Sequence, residues 1–235
     1  MLDAPHDRAA FFRTAGVLAL GALPLARVSA ALASAAPRLT PEAAIARLMA
    51  GNARFVSGKT TGGNGMSARR NDVAPGQRPF AAVLTCADSR TTPEYVFDQR
   101  LGDVFVCRVA GNILDADILG SLEYAVEHFG SSAIVVLGHQ RCGAVTDSVH
   151  VYEHHLKAPG SVQSIVDAIV PAIRATKRGS LSEAAYVDAV IKTNARLVAR
   201  QVTSESAILR RAVEAGHLRV VAGRYSLDTG RVALL

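Results

Sequence analysis

The chain has 235 residues, of which 49% are hydrophobic and 20% charged, with a formal net charge of +6. This length suits one domain with a sizeable core or two small ones, and the composition excludes a disordered chain. The basic residues are scattered through predicted helices rather than gathered in a stripe with aromatic residues. We therefore expect a solvated basic surface, no nucleic-acid partner and a weak preference for small anionic substrates or products.

The first 36 residues have the layout of an export signal rather than that of a folded domain. Arg8 and Arg13 lie in a charged start, an apolar run covers residues 14–26, and small residues spaced as at a cleavage site follow. The stretch from Arg8 to Arg13 is similar to a twin-arginine signal without its second arginine, and the apolar run is too short for a membrane span. We expect an exported protein, periplasmic or secreted, with a single domain over residues 37–235 and no stable membrane span. The alternative is a frayed N-terminal helix on a cytosolic protein.

A helix is predicted to begin after Thr40, because threonine can cap a helix and Pro41 and Glu42 suit its first turn. The apolar residues that follow recur at helical spacing, which gives the helix one buried face. Gly51 is expected to end this helix, and residues 57–67 to form a polar loop.

From residue 80 onward, short apolar runs alternate with helical patterns. Strands that alternate with helices favour βαβ units with right-handed crossovers. We therefore predict an α/β fold with a mostly parallel central β-sheet flanked by helices. The predicted strands cover residues 80–85, 104–109, 133–137 and 218–222, and the first helices between them cover residues 93–98 and 117–129.

The later part of the chain is predicted to be mainly helical up to residue 216. One helix starts at Cys142, Pro171 should kink or divide the next, and Ser204 is expected to cap the last. Two short extended pieces surround the turn at residues 228–230.

Two polar stretches that follow buried strands carry residues suited to chemistry. Cys86 follows the first predicted strand, and His139 and Cys142 follow the third. Because the carboxyl ends of parallel strands lie at one edge of a sheet, we expect these three side chains to meet. Two thiolates and one imidazole, with a fourth position for water, substrate or a carboxylate, form a catalytic type of zinc site. Cys107 lies within a strand and is predicted to be a small buried residue.

Asp88 and Arg90 lie on the same loop as Cys86. Asp88 is near enough along the chain to reach the metal or its water, and a bidentate clamp by Arg90 would hold the carboxylate away from the metal. If the clamp fails, Asp88 becomes the fourth ligand and closes the site, and the sequence is compatible with both forms. Zinc lowers the pKa of a bound water, and with two thiolate ligands we expect activity to favour alkaline conditions.

The motif Cys86-Ala87-Asp88-Ser89-Arg90, together with Gly138-His139-x-x-Cys142-Gly143, resembles the β-class carbonic anhydrases. The resemblance implies zinc ligation by Cys86, His139 and Cys142, and a catalytic pair of Asp88 and Arg90. It implies an enzyme with one zinc ion per chain that converts carbon dioxide reversibly to bicarbonate and a proton by means of zinc-bound hydroxide. It also implies a homodimer or homotetramer. The resemblance covers about residues 40–235, with further similar stretches at residues 48–55, 105–112, 120–128 and 228–230.

The resemblance further implies a substrate pocket lined by Gln77, Phe105, Tyr124 and Gly143. Gln77 matches a glutamine on the substrate side in plant-like members. Phe105 and Tyr124 match aromatic wall positions, and the family's partner subunit lends the phenylalanine. A solvated loop amide is the alternative for Gln77, and core packing is the alternative for the two aromatic residues.

Thr91 and Thr92 depart from the family pattern, in which more apolar residues follow the arginine. This departure predicts a change in the mobility of the loop. Two other functions suit the same fold: a zinc hydrolase of carbonyl sulfide or carbon disulfide, and a non-catalytic protein that binds zinc or bicarbonate. The pair of Asp88 and Arg90 argues against the non-catalytic protein, because a structural metal does not need that pair.

Overall fold

A mostly parallel five-stranded β-sheet forms the centre of the protein in this computed structural model, which describes residues 38–235. Its strands are β1 (Ala81–Thr85), β2 (Val104–Arg108), β3 (Ala133–His139), β4 (Arg219–Tyr225) and β5 (Val232–Leu234). Their spatial order is β2-β1-β3-β4-β5, and β5 runs antiparallel to β4. The predicted α/β fold is confirmed. The export signal predicted for residues 1–36 lies outside the described residues.

Helices cover both faces of the sheet. They are α1 (Pro41–Val56), α2 (Met66–Val73), α3 (Pro93–Val96), α4 (Ala116–Phe129), α5 (Gly143–Glu153), α6 (Val162–Ala175), α7 (Glu183–Ser204) and α8 (Ala207–Glu214). Successive side chains of a strand point to opposite faces. Val83 and Val135 therefore pack with Leu48 of α1, whereas Leu84 and Ile134 pack with apolar residues of α4, α7 and α8. Within residues 38–235, none of the helices combines the length and apolar character that crossing a membrane requires.

The two central strands explain where the polar loops lie. Strands β1 and β3 are buried along their whole length, as expected for parallel strands covered by helices on both faces. They are neighbours, and Thr85 at the end of β1 pairs with Leu137 of β3. This register brings the residues that follow both strands to the same edge of the sheet.

Helix α1 begins as predicted and ends later than predicted. The Thr40 side chain accepts a hydrogen bond from the backbone of the first turn, but the helix passes Gly51 and continues to Val56. A Cβ atom at position 51 would lie 1.7 Å from the carbonyl oxygen of Phe97. Glycine is needed here for the close approach of two backbones, and the prediction that it ends the helix was wrong.

Other predicted features also differ in the structure. Helix α2 begins inside the predicted loop at residues 57–67. It has no buried residue, so its sequence lacks the apolar periodicity by which a helix is predicted. Helix α6 continues through Pro171, which is exposed, so that water can satisfy the carbonyl group left without its donor. Ser206 rather than Ser204 caps α8, and β4 extends beyond its predicted end to Tyr225.

Candidate metal centre

Three side chains with ligand atoms meet at the carboxyl edge of the sheet. Cys86 directly follows β1, His139 is the last residue of β3, and Cys142 is the N-cap residue of α5. Their ligand atoms all lie within 4.8 Å of one another, and the two Sγ atoms are 3.9 Å apart. All three residues are buried. The structure therefore brings together the residues that the sequence predicts as zinc ligands.

The turn between His139 and Cys142 directs both side chains to one point. Arg141 within this turn has a φ of 54°, in the left-handed region that L-residues other than asparagine and aspartate seldom adopt. The backbone N–H of Gln140 donates to the carbonyl oxygen of Tyr225 at 2.9 Å, which extends the contact between the ends of β3 and β4. The chain can therefore change from strand to helix within three residues.

The imidazole of His139 has the properties of a metal ligand. Its Nδ1 lies 3.0 Å from the carbonyl oxygen of Gln140, which can only accept, so Nδ1 carries the proton. Its Nε2 is buried and lacks a hydrogen-bond partner among the described residues. An unsatisfied buried nitrogen is costly, and a divalent cation beside two sulfur atoms would satisfy it. The residues present therefore fit a zinc ion.

The Cys142 thiol lies in position to donate a hydrogen bond to the Cys86 sulfur, 3.9 Å away. The hydrogen bond from Cys142 to Cys86 lowers the pKa of the Cys86 thiol well below its usual range. The same bond, together with burial, raises the pKa of Cys142. The backbone N–H of Gly111 also points to the Cys86 sulfur, at 3.3 Å. A cation that replaces the proton of this hydrogen bond would let both sulfur atoms act as thiolates, which is the form that binds zinc.

Asp88 and Arg90 form the clamp that the sequence predicts. Arg90 Nε donates to Asp88 Oδ1 at 2.9 Å, Arg90 Nη2 donates to Asp88 Oδ2 at 2.7 Å, and the backbone N–H of Arg90 donates to Oδ1 at 3.0 Å. These hydrogen bonds hold the pKa of the Asp88 carboxyl far below its usual range, so it is ionised at neutral pH. Asp88 Oδ2 lies 4.0 Å from Nε2 of His139, at the edge of the ligand group.

Contacts from a distant part of the chain hold the loop between His139 and Cys142. The Asp228 carboxylate accepts hydrogen bonds from both terminal nitrogens of Arg141, at 3.0 and 2.7 Å, and from Nε2 of Gln140 at 2.7 Å. The sequence places Asp228 in a turn and in a stretch similar to the family, but it does not predict these contacts. Asp228 and Arg141 are separated by 87 positions in the sequence, so no local pattern predicts their contact.

Two of the predicted substrate residues lie at opposite ends of the sheet. Gly143 is the first residue of α5, next to Cys142, and a Cβ atom there would meet no other atom within 4 Å. Gln77 precedes β1, whereas Cys86 follows it, so a whole strand separates Gln77 from the ligands of its own chain.

The two aromatic residues form a patch on the edge strand. Phe105 lies on β2, with its ring centroid 6.5 Å from that of Tyr124 and 6.0 Å from that of Phe129. Tyr124 is 48% exposed. Phe105 is three residues before the end of β2, or about 10 Å along the strand from the edge that carries the ligands. Their predicted place in the pocket stays a prediction, which for Phe105 involves a second copy of the chain.

The family model and the similar proteins point to the same family. The family model described as carbonic anhydrase matches residues 81–232. Carbonic anhydrase 2 of Mycobacterium tuberculosis is 39% identical over 198 residues, which cover 84% of this chain and 94% of that protein.

Solved structures show the same fold. The β-carbonic anhydrase of Coccomyxa, solved in complex with acetazolamide, has a TM-score of 0.64 and 25% identity over 81% of this chain and 86% of that one. The tetrameric β-carbonic anhydrases of Sordaria macrospora include a chain with a TM-score of 0.66 and 22% identity, over 81% of this chain and 96% of that one.

Proposed function

The chain belongs to the carbonic anhydrase family and has the β-class fold, and on this premise we propose that it is a zinc enzyme that interconverts carbon dioxide and bicarbonate. The observation that carries the proposal is the buried group of Cys86, His139 and Cys142, with ligand atoms within 4.8 Å of one another. Two thiolates and one imidazole leave a fourth position for water or substrate. When bound, zinc supplies a water molecule of lowered pKa at that position.

Asp88 is the residue that we expect to orient the reacting group. Its Oδ1 accepts two hydrogen bonds from Arg90, whereas its Oδ2 accepts one. A carboxylate oxygen has about two acceptor positions, so Oδ2 keeps one free. Oδ2 is also the oxygen that lies 4.0 Å from Nε2 of His139. We assign to Asp88 Oδ2 the hydrogen bond that orients the reacting group and relays its proton.

Arg90 supports an open fourth position. Its planar guanidinium binds both carboxylate oxygens, an arrangement that a single lysine charge could not reproduce. While this clamp holds, Asp88 stays out of the ligand group. The Arg90 side chain is 53% exposed, so its charge also favours an anionic product at the mouth of the site.

We also propose that the enzyme is a homodimer or homotetramer in which a second copy supplies Gln77, Phe105 and Tyr124 to the pocket. Within one chain Gln77 lies across the sheet from the ligands, and Phe105 and Tyr124 form a partly exposed patch on the edge strand. Light scattering on the purified protein tests the assembly. A monomer with full activity would contradict it.

Export is the remaining proposal, and it is supported by the layout of residues 1–36. N-terminal sequencing of the protein from cell fractions tests it. We expect a shortened chain in the periplasm or the medium, whereas an intact chain confined to the cytosol would contradict export.

Stopped-flow measurement of carbon dioxide hydration, with zinc content determined on the same sample, tests the proposed reaction. We expect about one zinc ion per chain and activity that rises toward alkaline pH. Cys142→Ala should lose both zinc and activity, because the remaining ligands cannot hold the metal. Cys107→Ala is the matched control, since Cys107 lies within β2 and should leave both unchanged.

The same preparation separates the other candidate functions. Full zinc content with hydrolysis of carbonyl sulfide or carbon disulfide, and little carbon dioxide hydration, would identify a sulfur hydrolase. Full zinc content with no activity on any of these gases would identify a binding protein. Either result would overturn the proposed reaction.

A further inference from the structure

The loop from Cys86 to Arg90 is held by two side chains from outside it, those of Thr91 and Arg108. Thr91 directly follows this loop and is 0% exposed. Its Oγ1 lies 3.1 Å from the carbonyl oxygen of Cys86 and 2.9 Å from the carbonyl oxygen of Asp88. One buried hydroxyl therefore contacts the carbonyl groups of both a ligand residue and the residue that orients the substrate.

Arg108, the last residue of β2, contacts the same two carbonyl groups from the other side. Its Nε donates to the carbonyl oxygen of Cys86 at 3.1 Å, and its Nη2 donates to that of Asp88 at 2.6 Å. The position of Arg108 is set by the sheet, because it pairs in register with Thr85 of β1. The guanidinium therefore ties the loop to a rigid part of the fold.

The two carbonyl oxygens belong to Cys86 and Asp88, so the hydrogen bonds that they accept fix the backbone from which these two side chains extend. Each carbonyl oxygen would lose one of its two side-chain donors when Thr91 or Arg108 is changed, which costs free energy and would let the loop shift. A shift of about 1 Å in a reacting group can lower a rate about 100-fold. Outer contacts of metal ligands typically change metal affinity or activity by about 10- to 100-fold when they are removed.

We propose that Thr91 and Arg108 are positioning residues that hold the Cys86 sulfur toward the metal while keeping Asp88 with Arg90 and out of the ligand group. The inference rests on the proposed zinc site. Neither residue acts on substrate, and both act through the carbonyl groups that they share.

Replacement of Thr91 gives the most direct test of this proposal. Thr91→Val keeps the shape and removes the hydroxyl, whereas Thr91→Ser keeps the hydroxyl. Thr92→Val is the matched control, because Thr92 is the N-cap residue of α3 and its side chain makes no cap hydrogen bond. Each variant of the full chain is loaded with zinc, and the transfer of zinc to an excess of a chromophoric chelator is timed.

We expect zinc to leave Thr91→Val about 10 times faster than it leaves the wild-type protein. Thr91→Ser and Thr92→Val should release zinc within about twofold of the wild-type rate. The cobalt-substituted Thr91→Val protein should also show an altered absorption spectrum, because the geometry around the ion changes. A merely structural role for Thr91 would lower the melting temperature and leave both readouts unchanged.

Arg108→Lys keeps the inference testable if Thr91→Val does not fold. A lysine ammonium cannot bridge two carbonyl groups as the guanidinium does, so zinc release should again be faster. In the double variant, zinc release should be faster than the two single effects combined predict, because each side chain supplies the donors that remain when the other is changed. Wild-type release rates and cobalt spectra in folded variants would overturn the inference.

Failure of the positioning role can be distinguished from failure of the proposed reaction. If the wild-type protein binds zinc but hydrates no carbon dioxide, the order of the release rates still decides the positioning role. If the enzyme is active and all variants release zinc equally, the positioning role alone is overturned.

Discussion

The two loops that carry the ligand residues are held in different ways. The loop that contains Cys86 and Asp88 is held from inside, by the fully buried Thr91 and by Arg108 from the neighbouring strand. The loop between His139 and Cys142 is held at its rim by the pair of Arg141 and Asp228, whose side chains are 55% and 56% exposed.

The difference shows which contacts the site can lose. Water can replace a hydrogen bond at the rim, and salt screens an exposed ion pair, so such pairs contribute little. Water reaches the buried and partly buried carbonyl groups of Cys86 and Asp88 less easily, so the loss of a donor there is compensated less. The loop that carries both a ligand and the orienting carboxylate is therefore the more strongly fixed of the two. Three predictions test this comparison, in order of decreasing effect.

Substitution of a glycine should destabilise the fold most beside the loop that contains Cys86 and Asp88. Gly111 has a φ of 71°, its N–H points to the Cys86 sulfur, and a Cβ atom would lie 2.7 Å from Cδ1 of Ile169. We expect Gly111→Ala to lower the free energy of unfolding by about 2–4 kcal/mol, from left-handed strain and overpacking. The Cβ atom of Gly143→Ala, at the start of α5 beside the other loop, meets no atom within 4 Å, so this variant should not destabilise the fold. Equal denaturation midpoints for the two variants would contradict the comparison.

Asp98 is a buried carboxylate outside the metal centre, and the loss of its hydrogen bonds should likewise destabilise the fold. Asp98 is 5% exposed and accepts hydrogen bonds from the backbone N–H groups of Gly62 and Thr61, at 2.6 and 2.8 Å, and from Arg54 at 2.5 Å. Burial raises the pKa of Asp98, but these hydrogen bonds outweigh it, so the pKa lies below its usual value. Asp98→Asn should cost about 2 kcal/mol at pH 7, and asparagine suits the positive φ at this position, so the backbone is preserved.

The pH dependence of this cost follows from the direction of the shift. Because the pKa is lower in the folded protein, the ionised carboxylate stabilises the fold above the pKa of the unfolded chain. That stability is lost as the pH falls through the folded value. The difference between wild-type and Asp98→Asn denaturation midpoints should therefore shrink between pH 7 and pH 3. A difference that stays constant would contradict the role of the charge.

Asp228→Asn should have the smallest effect. Hydrogen bonds from Arg141 and Gln140 lower the pKa of Asp228, but the group is exposed. We expect zinc release within about twofold of the wild-type rate, with the remaining difference disappearing in 1 M salt. A change as large as that expected for Thr91→Val would show that the rim fixes the site as firmly as the interior does.

Sequence patterns predict the sheet and the ligand group because both depend on local signals. Strands β1 and β3 are continuous apolar runs, and Cys86, His139 and Cys142 come at or directly after their ends. The rule that such ends share one edge of a parallel sheet then brings the three side chains together.

The remaining features depend on contacts between distant residues. Gly51 looks like a helix end until the carbonyl group of Phe97 is placed against it. The departure at Thr91 predicts altered loop mobility, and only the structure shows that its hydroxyl contacts two carbonyl groups. Asp228 is predicted only as part of a turn and of a stretch similar to the family, because its partners Arg141 and Gln140 lie 87 and 88 residues away.

X-ray absorption at the zinc edge, on the full wild-type chain, tests the central claim most directly. The claim is that Cys86, His139 and Cys142 hold one zinc ion. We predict two sulfur ligands, one imidazole nitrogen and one light atom per zinc, unchanged in number in Cys107→Ala. A zinc ion with fewer than two sulfur ligands, or a chain that retains no zinc, would contradict the account.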